Sequence, residues 1–116
     1  MHAWEAIEGA LDLIEEHLQE DISTEALAQS AGLSPFYFQR LFKRLTGRPV
    51  LEYVKMRRLA MAASALADRE KRILDVAVEY GFSSHAAFTR AFKEAYGISP
   101  EEYRKDWPML NTCDKP

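Results

Sequence analysis

Gln39-Arg40 and Thr89-Arg90 are two short pairs fifty residues apart, and a lysine follows each arginine at the third position, Lys43 and Lys93. The planar fork of arginine can pair with O6 and N7 of guanine, and a glutamine amide can pair in the same way with N6 and N7 of adenine. A lysine one helical turn further on is a point charge suited to a phosphate oxygen. These residue types belong to a surface that reads an anionic polymer.

The residues that would support other chemistry are too few or too scattered. No serine, cysteine, histidine and carboxylate stand at a spacing that would activate a nucleophile, so no catalytic residues are assigned. His2, His17 and His85 are far apart, and the single cysteine, Cys113, rules out an internal disulfide. A structural zinc site needs about four ligands, and that set is missing. The expectation is therefore no metal, no cofactor and no enzyme. Cys113 is either a reactive thiol or an ordinary tail thiol.

The net charge of −3 seems to oppose a nucleic-acid partner, but its distribution does not. Residues 1–30 hold eight acids and neither lysine nor arginine, whereas residues 31–116 hold fifteen bases against ten acids. Between Phe36 and Arg58 there are seven bases and one acid, Glu52. DNA affinity follows the local patch that neutralises phosphates, not the total charge. No apolar run approaches the ~18 residues of a membrane span, and the N-terminus has no basic-then-apolar leader. The expected location is the cytoplasm, with no membrane partner.

Hydrophobic periodicity is helical throughout. Trp4, Ile7, Leu11, Ile14 and Leu18 form one stripe, with Glu5, Glu8, Asp12, Glu15 and Glu16 outside it. Ser23 or Thr24 can cap a second helix over residues 25–31, and Ser34 can cap a third over residues 36–45, with Pro35 in its first turn. Residues 50–67 lack glycine and proline and read as a long helix of about 25 Å. Further helices are expected over residues 73–80, 84–96 and 100–105, and no strand pattern occurs. The fold class is all-α, with about seven helices.

The chain repeats itself. Ala28 and Gly32 match Ala77 and Gly81 at an offset of 49; one extra residue in the second turn then makes it 50. At that offset Phe38, Arg40, Phe42, Lys43, Gly47 and Tyr53 match Phe88, Arg90, Phe92, Lys93, Gly97 and Tyr103. Each copy reads helix, glycine turn, helix. A small residue four before the glycine lets the helices approach, and Leu33 or Phe82 follows to fill their angle. This is the helix-turn-helix pattern, in which the second helix enters the major groove. The expected organisation is a first helix-turn-helix subdomain over residues 1–50, a connecting helix over 51–68, a second subdomain over 69–106, and a tail or linker over 107–116.

Within each unit the helical wheel separates core from reader. Phe38, Leu41, Phe42 and Leu45 share one face in the first unit, as do Phe88, Ala91, Phe92 and Ala95 in the second. The outward side assigns base readout to Phe36, Tyr37, Gln39 and Arg40, and to His85, Ala86, Thr89 and Arg90. Phe36 lies either against thymine methyls or partly buried as a staple. DNA-backbone contacts are assigned to Ser34, Lys43, Arg44, Arg48, Arg57, Ser84 and Lys93. Arg57 and its neighbour Arg58 could equally bridge to acids or core groups as structural pairs, with Arg58 the more structural. Two alanines at 86 and 87 leave the second helix fewer hydrogen-bonding side chains, so its half-site should be read more loosely.

Major grooves on one face of DNA recur about every 34 Å. A stiff connector of about 25 Å can therefore place two reading helices one turn apart, on an asymmetric site bound by a monomer. The alternative is a helical protein-interaction module acting through the acidic first helix.

The residues resemble the AraC/XylS family of bacterial transcription regulators over about residues 5–105. The run GFSSHAAFTRAFKEAYGISPEEYR is similar to the family signature, and ALAQSAGLSPFYFQRLFKRLTGRPVLEYV to its other helix-turn-helix. The resemblance implies sequence-specific binding to double-stranded promoter DNA and activation through RNA polymerase. It also implies base readers at Phe36, Gln39, Arg40, His85, Ala86 and Arg90. Alanine at 86, where related proteins often carry a polar side chain, departs from that pattern. Most members add a ligand-sensing domain. The chain is either a small stand-alone regulator or the DNA-binding part of a longer one, and LNTCDKP resembles the linker before a C-terminal effector-binding domain in the Rob-like branch.

Overall fold

The computed structural model describes residues 3–105; the expectations placed on His2, Cys113 and residues 107–116 lie outside them. Among the described residues there are seven helices and no strand: α1 (Ala3–Glu16), α2 (Thr24–Ser30), α3 (Pro35–Thr46), α4 (Val50–Ala65), α5 (Ile73–Glu79), α6 (His85–Tyr96) and α7 (residues 100–105). The all-α expectation stands, with ends displaced by a residue or two. α4 stops short of Ala67 because the Leu66 amide is shared between the carbonyls of Ala62 and Ala63, at 3.0 and 3.2 Å. That sharing tightens the last turn.

The helix ends are set by local chemistry. The hydroxyl oxygens of Ser23, Ser34 and Ser84 accept from the amides of Ala26, Tyr37 and Ala87 at 3.2, 3.2 and 3.0 Å. Each satisfies one of the amides that a helix start leaves without an intrahelical partner. Gly47 and Gly97, with φ of 83° and 81°, close α3 and α6, and each donates its amide to a lysine carbonyl, Lys43 or Lys93, at 2.8 Å.

The two inter-helix turns are duplicates in their bonds as well as in their residues. Leu33 donates to the Ala28 carbonyl and Gly32 to that of Gln29, at 2.9 and 3.0 Å. Phe82 donates to Ala77 and Gly81 to Val78, at the same two distances. This paired closure needs a left-handed residue at the glycine, and Gly32 and Gly81 have φ of 74° and 87°. Both alanines are fully buried, which leaves room for the neighbouring helix.

The chain forms two compact units, Met1–Arg58 and Leu59–Pro116, with the division inside α4. In the first, Ile7, Ala10, Ile14 and Leu18 pack with Leu27, Ala28, Phe38, Phe42, Val50 and Val54. The Phe42 ring meets Phe38 at 5.8 Å and Tyr53 at 5.5 Å between centroids. In the second, Leu59, Ala62, Ala63 and Leu66 pack with Val76, Ala77, Tyr80, Phe88, Ala91 and Phe92. The Phe92 ring meets Phe88, Tyr96 and Tyr103 at 5.6, 4.8 and 5.4 Å. Three expected core residues fall outside these clusters. Trp4 is 47% exposed because the buried face of α1 begins at Ala6 and Ile7; Leu45, at 39%, and Ala95 lie past the last buried phenylalanine of their helices.

Candidate nucleic-acid interface

α3 carries the richer of the two outward faces. Phe38 and Phe42, both fully buried, lock the helix against its unit and so fix which side chains remain outside. Those are Phe36, Tyr37, Gln39, Arg40, Lys43 and Arg44, all exposed. Phe36 is 72% exposed, which decides against the buried staple. The Arg40 guanidinium carbon stands 5.5 Å from the centroid of the Phe36 ring, within cation–π range, so the aromatic ring limits where the fork can point. α3 has no acid in its sequence, and among the described residues Arg40, Lys43, Arg44 and Arg48 have no ion-pair partner. Lys43 and Arg44 also sit in the last turn, where cations suit the helix dipole.

α6 presents His85, Ala86, Arg90, Lys93 and Glu94 to solvent, with Thr89 half-buried. Arg90 has no ion-pair partner among the described residues. His85 has a carboxylate beside it: its Nε2 lies 2.8 Å from Oε2 of Glu101 on α7. The start of α7 is itself fixed reciprocally, since the Ser99 amide donates to the Glu102 carboxylate at 2.9 Å and the Glu102 amide to the Ser99 hydroxyl at 3.1 Å. Hydrogen bonds to the carboxyl, from the Ser99 amide first and then from the Ser99 side chain, hold Glu102 below the usual carboxylate range, with burial opposing and Lys93 adding a smaller attraction. Ser34 and Ser84 each use an oxygen lone pair as a cap and keep their O–H as a donor.

Outside α3 and α6, Arg57, Arg58 and Arg104 have intramolecular work. Arg57 reaches Glu15 with Nε to Oε2 at 2.8 Å and Nη2 to Oε1 at 3.0 Å, so any phosphate at Arg57 must compete with a carboxylate already in place. Arg58 donates to the carbonyls of Leu18 and Glu20 at 3.0 and 2.6 Å. Arg104 does the same for Leu66 and Asp68, at 3.0 and 3.3 Å. The guanidinium thus serves carbonyls just past α1 in one unit and just past α4 in the other, where the Asp68 carbonyl also accepts from the Lys71 amide at 3.1 Å. The sequence carries no signal for Arg104 or Glu101: at the repeat offset of 50 they stand opposite Val54 and Leu51, neither of which can make such a bond.

Comparison with known proteins decides the family. A helix-turn-helix domain family model matches residues 27–106, a span that takes in both glycine turns and the helices that follow them, α3 and α6. The chain belongs to the AraC-type helix-turn-helix family of DNA-binding transcription regulators. It is 41% identical over 104 residues to an uncharacterized helix-turn-helix-type transcriptional regulator of Bacillus subtilis, YbfP, covering 90% of this chain and 35% of that one. It is 40% identical over 104 residues to the probable transcription factor PqrA of Proteus vulgaris, covering 88% of this chain and 85% of that one. Thus the chain spans about a third of one relative's length and most of the other's. The DNA-binding domain of AdpA, solved in complex with a target DNA, superposes with a TM-score of 0.82 at 29% identity, covering 92% of this chain and 96% of that domain.

Within this AraC-type domain, the sequence-assigned residues sort by their surroundings. Ser34, Phe36, Tyr37, Gln39, Arg40, Lys43 and Arg44 stand together at and along α3; Arg48 follows just beyond its closing glycine. Ser84, His85, Ala86, Thr89, Arg90 and Lys93 stand together at and along α6. Arg57 stands apart on α4, engaged by Glu15. Among the described residues no cluster of three or more His, Cys, Asp or Glu could hold a metal ion, and no helix is long and apolar enough to cross a membrane.

Proposed function

We propose that this AraC-type domain binds double-stranded promoter DNA as a monomer. α3 and α6 enter successive major grooves of an asymmetric site, and the bound protein activates transcription through contact with RNA polymerase. Phe36, Tyr37, Gln39 and Arg40 read bases in the first groove, and His85, Ala86, Thr89 and Arg90 in the second. Ser34, Lys43, Arg44, Arg48, Ser84 and Lys93 meet phosphates, and Arg57 does so where it leaves Glu15.

The observation that carries this reading is the outward face of α3. Arginine, glutamine and lysine are exposed there without a carboxylate partner, above two buried phenylalanines that fix the helix. A surface that holds three cations without internal neutralisation suits a polyanion. The duplication of the same capped helix within one chain supports an asymmetric site and a monomer. The target-DNA complex of the AdpA domain supports DNA binding by this fold. Sensing by a C-terminal effector-binding domain, implied by the Rob-like resemblance, belongs to the same proposal. The relatives' lengths support both arrangements, one with such room and one nearly without.

Selection of bound sites from random duplexes, followed by titration at several salt concentrations, tests this. The expected result is one asymmetric site, and a log–log salt slope of about −0.9 per neutralised phosphate. Binding that ignores both sequence and salt would leave the acidic outer face of α1, and a protein partner, as the better reading.

A further inference from the structure

His85 opens the second reading helix, and its Nε2 lies 2.8 Å from a carboxylate that comes from a different helix. A carboxylate can only accept, so the ring's Nε2 carries its hydrogen toward Glu101. In the neutral ring that leaves Nδ1 as the one atom of His85 able to accept a hydrogen bond from elsewhere. In the major groove, the groups that donate to such an atom are the exocyclic amines of adenine and cytosine.

The carboxylate is held, not floating. α7 is seated by the fully buried Pro100 and by Tyr103, whose ring stands 5.4 Å from that of Phe92. Its start is pinned by the reciprocal Ser99–Glu102 bonds. Glu101 therefore arrives at His85 from a fixed frame. Stability does not explain the pair, because both side chains are about half exposed, at 47% and 49%, and exposed pairs contribute little to folding. The repeat supplies its own control: at an offset of 50, the positions of His85 and Glu101 are Pro35 and Leu51, neither of which can make this contact. The pair belongs to the second unit alone, on the helix that is poorer in hydrogen-bonding side chains.

Building on the proposed DNA reading, we infer that Glu101 is a positioning residue for base recognition. It fixes the His85 ring as the Nε2–H tautomer and reserves Nδ1 for the amino group of an adenine or cytosine in the second half-site. Glu101 itself touches no base.

Affinities for the selected duplex and for each of its single base-pair variants across the second half-site test this, with wild type, H85A, E101A, E101Q, the H85A/E101A double variant and R90A. Circular dichroism of each confirms folding. E101A should reduce discrimination at one base pair about fivefold, a modest single contact. The same change should do nothing further in the H85A background. E101Q retains an accepting oxygen and should keep the preference, which a role in charge alone would not allow. Full discrimination in E101A, or a loss spread equally over all duplexes, would overturn the assignment while leaving the DNA reading intact. If R90A also left every preference unchanged, the DNA reading would fall and this inference with it.

Discussion

The carboxylate of Glu15 on α1 is gripped at two points by the guanidinium of Arg57 on α4, at 2.8 and 3.0 Å. The sequence pattern also offers Arg57 to the DNA backbone, so the contact sets up a competition that can be measured. Glu15→Gln removes the charge that holds Arg57. If Arg57 meets a phosphate, the variant should bind the selected duplex more tightly at low salt, with a salt slope steeper by about 0.9. Unchanged affinity and slope would remove Arg57 from the interface. The folding cost should stay within about 1 kcal/mol, as for exposed pairs generally.

The same contact has a pH signature. Its hydrogen bond from Arg57 holds the Glu15 carboxyl below the usual carboxylate range, with the charge of Arg57 adding to the effect and burial opposing it. A folded-state pKa below the unfolded value means that the unfolded chain takes up the proton first on acidification. The pair's contribution is therefore fully present above the ordinary glutamate value of about 4.3, and fades as the pH falls through the lowered folded value. Urea midpoints of wild type and Glu15→Gln should differ at pH 7 and converge in that acid range. A gap that widens on acidification would contradict the assignment.

Arg40 rests 5.5 Å from the Phe36 ring centre, which ties a hydrogen-bonding fork to an exposed aromatic face. Arg40→Ala should cost roughly 1–3 kcal/mol and relax preference at one base pair. Phe36→Ala should cost less, about 0.5–1 kcal/mol, because it frees the fork without removing it. Lys43→Ala should weaken all duplexes alike. Equal base-substitution profiles for wild type and Arg40→Ala would show that this arginine does not read sequence.

The duplicated backbone chemistry was legible in the sequence, and the reason is that it is local. Gly32 and Gly81 are each followed by the apolar residue that closes the paired turn bonds, and Ser34 and Ser84 accept from amides three residues on. The buried phenylalanines followed from helical spacing in the same way. Where the core ends did not: periodicity told which side of a helix faces inward, but not that burial stops before Leu45 and Ala95 or starts after Trp4. Contacts between distant segments were hidden too. Arg58 and Leu18 are 40 residues apart, and an arginine that satisfies a carbonyl has the same letter as one that meets a phosphate.

α3 and α6 differ in what they can offer, and on the proposed DNA reading the difference predicts an unequal operator. α3 exposes Gln39, Arg40, Lys43 and Arg44, whereas α6 exposes Arg90 and Lys93 with an alanine at 86 and the acid Glu94 alongside. A scan of single base-pair substitutions should give larger penalties in the half-site read by α3, at about 1–3 kcal/mol per well-read position. Arg90→Ala should relax at least one position in the other half. Equal penalties in both halves would refute the asymmetry.

Arg58 and Arg104 make the same contact in their respective units, each placing Nε and Nη2 on two carbonyls past a helix end, those of Leu18 and Glu20 or of Leu66 and Asp68. Both arginines are half-buried, and each has one bond to the carbonyl of a buried leucine, Leu18 or Leu66, which solvent reaches only in part once the arginine is removed. Lysine keeps the charge but has no planar fork with two donors at fixed spacing. Arg58→Lys and Arg104→Lys should therefore each destabilise folding, by about 1–3 kcal/mol, the range for losing hydrogen bonds to a charged donor. The effect should appear as a lower urea midpoint at unchanged m-value. Base preference should be untouched, since neither residue lies on α3 or α6. A full-stability Arg58→Lys variant with weakened DNA binding would move this residue from scaffold to interface.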